Sequence, residues 1–258
     1  MKSSKEQPIE IMKKCAQIGD TIFSNACKQL KNKKLTTEID LANFIKDEII
    51  KSGGIESFPV IVTSGPRAGN DIHPVSTDSK LSGFVIIDFG IKMNGYCSDM
   101  TRTVFIGKPN KEDITLYNVL LEAQNDSMKY FKANLSVSAP DAYIRGILSQ
   151  HSNNCDYIWS KDFKIIKNKK GDKAVKLNHF FIHTLGHGIS KKVHEKPTIF
   201  FKSKEIFKKG KIVTNEPGIY IPNKLGIRIE DMYIITDGLP ELITKSSKKL
   251  LVFQKLKY

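Results

Sequence analysis

A chain of 258 residues with a hydrophobic fraction of 40% is long and apolar enough to bury a full core, which excludes an intrinsically disordered protein. Its four cysteines, Cys15, Cys27, Cys97 and Cys155, form no CxxC pair, which argues against a disulfide framework or a thiolate zinc site and for four reduced thiols. The formal charge of +14 would suit a nucleic acid, but 37 lysines stand beside only four arginines, and phosphate or base recognition favours the bidentate guanidinium.

No stretch reaches the ~18 apolar residues of a membrane span. The opening MKSSKEQPIEIMKK lacks the apolar core of a signal peptide, so a cytoplasmic protein with no membrane or nucleic-acid partner is expected. Residues 7 to 34 carry Ile9, Met12, Ile18, Ile22 and Phe23 at helical spacing. A second helix should start near Thr37, with Asp40 placed for a capping box, and should stop at Gly53-Gly54. From Phe58 to Thr63 the pattern turns to β, and Ser64-Gly65-Pro66 breaks it.

The stretch FVIIDFGIKMNGYCSDMTRTVFIG, residues 84 to 107, reads as two strands around Asn94-Gly95. Both turn residues accept the left-handed conformation of a type I′ hairpin, so residue i should pair with residue 189 − i. Asp88 then faces Thr101 and Asp99 faces Gly90, which makes the two aspartates diagonal neighbours on one face, roughly 7 Å apart at the backbone. Helices are expected over 111 to 133 and from Pro140 to His151. The basic stretch 161 to 176, interrupted by Gly171, reads as a solvated insertion with hairpin character. Three strand-like runs follow, at 179 to 190, 211 to 221 and 226 to 236, and no linker divides the chain.

The late runs carry the chemistry. His183 and His187 lie four apart, which on a strand keeps them on one face, and His194 follows closely. Glu216 and Glu230 lie inside apolar strands, where an unpaired carboxylate is costly, and Arg228 shares a face with Glu230 as a candidate ion-pair partner. Two aspartates, two glutamates and one imidazole form an inventory suited to manganese, cobalt, iron or zinc.

The motifs SGPRAGNDIHP, IDFGIKMNGYCSDMTRT, HTLGHGISKKVHEKP, TNEPGIY and GIRIEDMYIIT, in that order over residues 64 to 236, resemble the pita-bread metallopeptidases. The resemblance is strongest to the Xaa-Pro peptidase branch of aminopeptidase P and prolidase. It implies an α+β fold, a curved antiparallel sheet flanked by helices, with pseudo-symmetric halves of about 1–125 and 126–258 in one catalytic domain. It further implies two divalent cations, manganese foremost, with cobalt, zinc or iron as alternatives. Asp88 would bind one ion through both oxygens, Asp99 and Glu230 would bridge the pair, and His187 and Glu216 would complete the second. The implied nucleophile is a hydroxide between the metals, with Glu216 handling its proton and His194 hydrogen-bonding the scissile carbonyl. His183 and His73 would line the pocket of a peptide with proline at its second position.

Methionine aminopeptidases share the five ligands, but His183, DMTRT and TNEPGIY favour the Xaa-Pro branch. A non-catalytic module that binds protein or RNA is a third reading, opposed by the intact ligand set. Two departures stand out. The first motif begins at Ser64, so the N-terminal domain usual in the branch is expected to be absent, leaving dimerisation and peptide length open. Ser190-Lys191-Lys192 replaces what is usually a glycine and an apolar residue.

Overall fold

Thr37 and Asp40 start the second helix by reciprocal capping. The Thr37 hydroxyl accepts from the Asp40 N–H at 3.1 Å, and the Asp40 carboxylate accepts from the Thr37 N–H at 3.0 Å. In the computed structural model, which describes residues 6–169 and 174–254, this helix (α2) spans Glu38–Lys51. Gly53 turns the chain away from it at a φ of 80°. The preceding helix, α1, spans Glu6–Lys31 and buries Met12, Cys15, Ile22, Phe23, Ala26 and Leu30 along one side. Most of that stripe joins Leu41, Ile45 and Ile49 of α2 in one apolar cluster with Val85, Ile87 and Val104 of the adjacent sheet.

That sheet runs in the order Val252–Phe253, Met100–Ile106, Gly83–Phe89, Ile61–Ser64. Its central pair follows the 189 − i register, with Asp88 opposite Thr101. The same register continues to the turn through Lys92–Cys97 and Met93–Tyr96, and Asn94 and Gly95 take φ of 49° and 81°. Between these two ladders the hairpin is interrupted at Gly90, whose missing Cβ would lie 1.9 Å from the Ser98 carbonyl oxygen. Asp99 emerges from this break rather than from a strand interior. The Phe58–Thr63 expectation shortens to a strand over Ile61–Ser64, followed by a 3₁₀ turn at Gly65–Gly69.

Helices α3 (Lys111–Ser127) and α4 (Ala139–Ser149) follow, and residue 125, the expected midpoint, lies in the last turn of α3. A second sheet runs Glu195–Ile199, Gly186–Gly188, Ile212–Asn215, Asp231–Ile234, Glu241–Leu242. Gly218–Ile221 and Leu225–Arg228 form a separate antiparallel hairpin. Three long runs read as continuous strands are therefore broken. His183 precedes the short strand Gly186–Gly188, Glu216 lies between Asn215 and Gly218, and Glu230 lies between Arg228 and Asp231. Pro217 supplies one reason, since proline cannot donate to a ladder. The hairpin expected inside 161–176 is instead Tyr157–Trp159 paired with Ile165–Lys167, and Gly171 lies outside the described residues.

The Leu225–Arg228 strand presses on the 3₁₀ turn without room for side chains. A Cβ on Gly226 would meet the Ala68 carbonyl oxygen at 1.9 Å, and one on Gly69 would meet the Ile221 carbonyl oxygen at 2.1 Å. Gly226→Ala should therefore destabilise the fold by about 2–4 kcal/mol through forced separation of two backbones, read as a lowered midpoint in thermal or urea unfolding.

Candidate metal centre

Three strand breaks, at Asp99, Glu216 and Glu230, and two strand positions, Asp88 and His187, point five ligand-type side chains at one cleft. Asp88, Asp99, His187, Glu216 and Glu230 all line a cavity of about 490 Å³, together with His73 and His194. Asp99, His187 and Glu230 are buried and offer donor atoms within 4.8 Å of one another. His187 Nε2 lies 3.2 Å from Glu216 Oε1 and 3.8 Å from Asp99 Oδ2. His187 Nδ1 donates to the Gly188 carbonyl at 3.1 Å, which directs Nε2 at the carboxylates.

Backbone contacts set each position. The Glu216 N–H donates to the Leu185 carbonyl and the Glu230 N–H to the Thr101 carbonyl, while the Asp99 N–H donates to Met232 Sδ. Thr214 Oγ1 accepts from the His187 N–H and donates to Glu216 Oε1. Behind the cleft, Arg102 donates to the Glu230 carbonyl and pairs with Asp231 at 2.7 Å, both residues being buried.

The electrostatics favour either protonation or a bound cation. Two carboxylate charges about 5 Å apart repel by roughly 3–4 kcal/mol at an effective dielectric of ~20. Burial, then Glu230 and Asp88, push the Asp99 carboxyl well above the usual carboxylate range. Burial, then Glu216 and Asp88, do the same to Glu230. Glu216 moves the other way: burial is the largest single influence and raises it, but the His187 hydrogen bond and the charges of His187, His183 and Arg228 together bring it below the usual carboxylate range. Asp88 Oδ1 and Glu230 Oε1 are buried with no hydrogen-bond partner among the described residues. An orphaned buried acceptor costs about 1–3 kcal/mol, and an ion between these oxygens would remove the cost. One imidazole nitrogen with carboxylate oxygens is a donor set that fits a divalent transition metal.

Arg228 and Thr101, for which the sequence suggested other partners, and Tyr220, which sequence reasoning missed, complete the wall. Arg228 pairs with Asp88 Oδ2 at 2.5 Å rather than with Glu230, so one oxygen of the expected bidentate ligand is already engaged. Arg228 also donates to Thr101 Oγ1 and to the Tyr220 hydroxyl. Thr101 Oγ1 donates to Glu230 Oε2 at 2.8 Å, a contact hinted at by its pairing with Asp88 in the hairpin register. Tyr220 lies 3.0 Å from His183 Nε2, and His183 Nδ1 donates to the Thr184 carbonyl at 2.7 Å. Both ring nitrogens of His183 are thus committed, and burial lowers its pKa to about 4, so the ring is neutral. His183 lines a second lobe of about 330 Å³, shared with Arg228, Thr198 and Glu195. His73, His187, His194 and Glu216 line both lobes, and the His194 ring sits edge-on to His187 at 4.3 Å between centroids.

Metal removal should expose the repulsion. Metal-stripped Asp99→Asn should melt about 2–4 °C above the stripped parent for each kcal/mol of relieved repulsion. The gap should widen as pH rises above the ordinary carboxylate range, because a carboxyl whose folded pKa is raised loses native stability between its unfolded and its folded pKa. Added manganese should reverse the order, since the parent binds the ion more tightly.

Comparison with known proteins identifies the family. Residues 10–237 match metallopeptidase family M24. The Xaa-Pro dipeptidase of Pyrococcus furiosus is 31% identical over 250 residues, covering 95% of this chain and 64% of the relative. The crystal structure of a prolidase from Thermococcus sibiricus superposes with a TM-score of 0.80 at 33% identity, covering 96% of this chain and 61% of that one. An X-Pro aminopeptidase from Thermotoga maritima gives 0.81 at 29% identity, covering 96% and 63%. The chain therefore spans less than two thirds of the length of these relatives. The α+β architecture is that of the pita-bread peptidases, and the chain belongs to metallopeptidase family M24.

Proposed function

We propose that this chain hydrolyses Xaa-Pro bonds in short peptides, with two divalent cations held by Asp88, Asp99, His187, Glu216 and Glu230. The observation that supports this most is the convergence of all five side chains on one cleft, with two buried oxygens left unpartnered. Relatives named Xaa-Pro dipeptidase and X-Pro aminopeptidase support the bond specificity. Manganese is the first choice of metal, and a cytoplasmic location agrees with the described residues containing no helix long and apolar enough to cross a membrane.

Bound cations would supply Lewis acidity and an acidified water. The chain's own residues do the rest. Glu216, 3.2 Å from His187 at the cleft wall, accepts the proton of the attacking water and returns it to the leaving amine. His194, beside His187 at the junction of both lobes, donates to the oxygen on which charge develops. His73 borders the peptide from the opposite loop. His183 contributes as a neutral wall whose orientation is held by Tyr220, not as a free hydrogen-bonding group.

Manganese-loaded protein should cleave Leu-Pro and Leu-Pro-Gly, and Glu216→Gln should lower kcat by about 10²–10⁴. The rate ratio for the two peptides separates a dipeptidase from an aminopeptidase. Cleavage of Met-Ala peptides without cleavage of either proline peptide would overturn the reading in favour of methionine removal.

A further inference from the structure

Glu38, the first residue of α2, is fully buried, and its carboxylate gathers donors from both ends of one loop. Oε1 accepts from the Ser64 N–H at 2.8 Å and the Ser64 hydroxyl at 3.2 Å. Oε2 accepts from the Thr77 N–H at 3.1 Å and the Thr77 hydroxyl at 2.9 Å. Arg67 Nε donates to the same carboxylate at 3.3 Å, and Arg67 Nη2 reaches on to the Val75 carbonyl at 2.9 Å. From inside the cleft, Arg228 Nη1 donates to the Ile72 carbonyl at 3.0 Å. His73 and Pro74 lie between the two carbonyls that these arginines hold.

Burial orders only part of this loop: Pro74 is buried and Ile72 packs against Ala68, Ile86 and Tyr220, but the outer side is open. The Val75 side chain is 84% exposed, and Asp71 and His73 are exposed as well. With little apolar area withdrawn from water on that side, polar contacts must outweigh the backbone entropy lost on ordering. The inner contact belongs to Arg228, which also serves Asp88. The outer contact belongs to Arg67, whose side-chain partners among the described residues are Glu38 and the Val75 carbonyl rather than the five ligand-type residues.

We infer that Glu38 and Arg67 form a clasp that positions the His73 loop as one wall of the cleft, making Arg67 a positioning residue for peptide binding. This rests on the peptidase reading of the cleft. Glu38 sets the base of the loop by joining Ser64 to Thr77. Arg67 converts that fixed point into a fixed height for Val75 and His73. Without its guanidinium the loop keeps the Arg228 contact but lifts at its outer side, so bound peptide loses a wall while the carboxylate cluster is untouched.

The test compares metal-loaded parent, Arg67→Met, His73→Ala and the double variant on Leu-Pro, with amide hydrogen exchange of residues 70–77 alongside. Arg67→Met should raise KM roughly tenfold, the scale of one lost charge-assisted hydrogen bond, with kcat within about twofold of the parent. The double variant should have the KM of His73→Ala, because the first residue acts through the second. Exchange over 70–77 should accelerate in Arg67→Met while α1 and α2 stay protected. Additive increases in KM, an unchanged KM in either single variant, or a loss confined to kcat would each overturn the inference. If the parent cleaves no proline peptide, the peptidase reading fails, and the exchange comparison alone decides: unaltered exchange in Arg67→Met overturns the clasp.

Discussion

Charge confinement governs this molecule. Asp88, Asp99, Glu216 and Glu230 face one cleft, the first, second and fourth of them buried, and carboxylates so crowded either protonate or find a cation. The fold supplies part of the answer itself. Arg228 takes one oxygen of Asp88, His187 sits against Glu216, and Thr101 donates to Glu230. What remains is a pair of bare oxygens, one on Asp88 and one on Glu230, in a basin where four carboxylates converge. Neighbouring polar networks are arranged to keep that basin rigid rather than to neutralise it. The buried Arg102–Asp231 pair, itself joined by Lys248 at 2.9 Å, clamps the backbone that carries Glu230.

The placement of ligands at interruptions of strands follows from the same constraint. A side chain within a regular strand points along a fixed normal, and neighbours on one face stand too far apart to share a small ion. At Gly90 opposite Ser98, at Glu216-Pro217 and at Ile229-Glu230 the ladders stop, and the carboxylates can turn toward a common centre. Asp88 and His187 keep their strand positions and act as the frame around which the others close.

Much of this was legible in the sequence where the determining chemistry is local. Asn94-Gly95 dictates its turn, the turn dictates the register, and the register brings Asp88 and Asp99 to one face. Thr37 and Asp40 dictate the start of α2 in the same way. Apolar periodicity could not show where the later strands break, because the flanking residues Ile219, Ile229 and Met232 remain buried whether the ladder continues or not. The partner of Arg228 was not legible either. Sharing a face with Glu230 suggested one carboxylate, but the bond is made to Asp88, 140 positions away in sequence, and only tertiary assembly decides it. The five motifs, read together, pointed to a family, and the match over residues 10–237 agrees.

The hairpin that carries Asp88 and Asp99 has a further consequence, for the order of events during synthesis. Its contacts are short in sequence, and hairpins of this kind form on the microsecond scale, far faster than the chain grows. Two acidic side chains are therefore in place while His187, Glu216 and Glu230 are still to be made. A nascent chain at that stage offers only carboxylate oxygens, a set that hard and abundant cations such as magnesium satisfy as well as any other. The imidazole and the last glutamate arrive only when the second sheet docks. At the proposed site, discrimination among metals would thus be a property of the finished fold, exercised after synthesis and not during it.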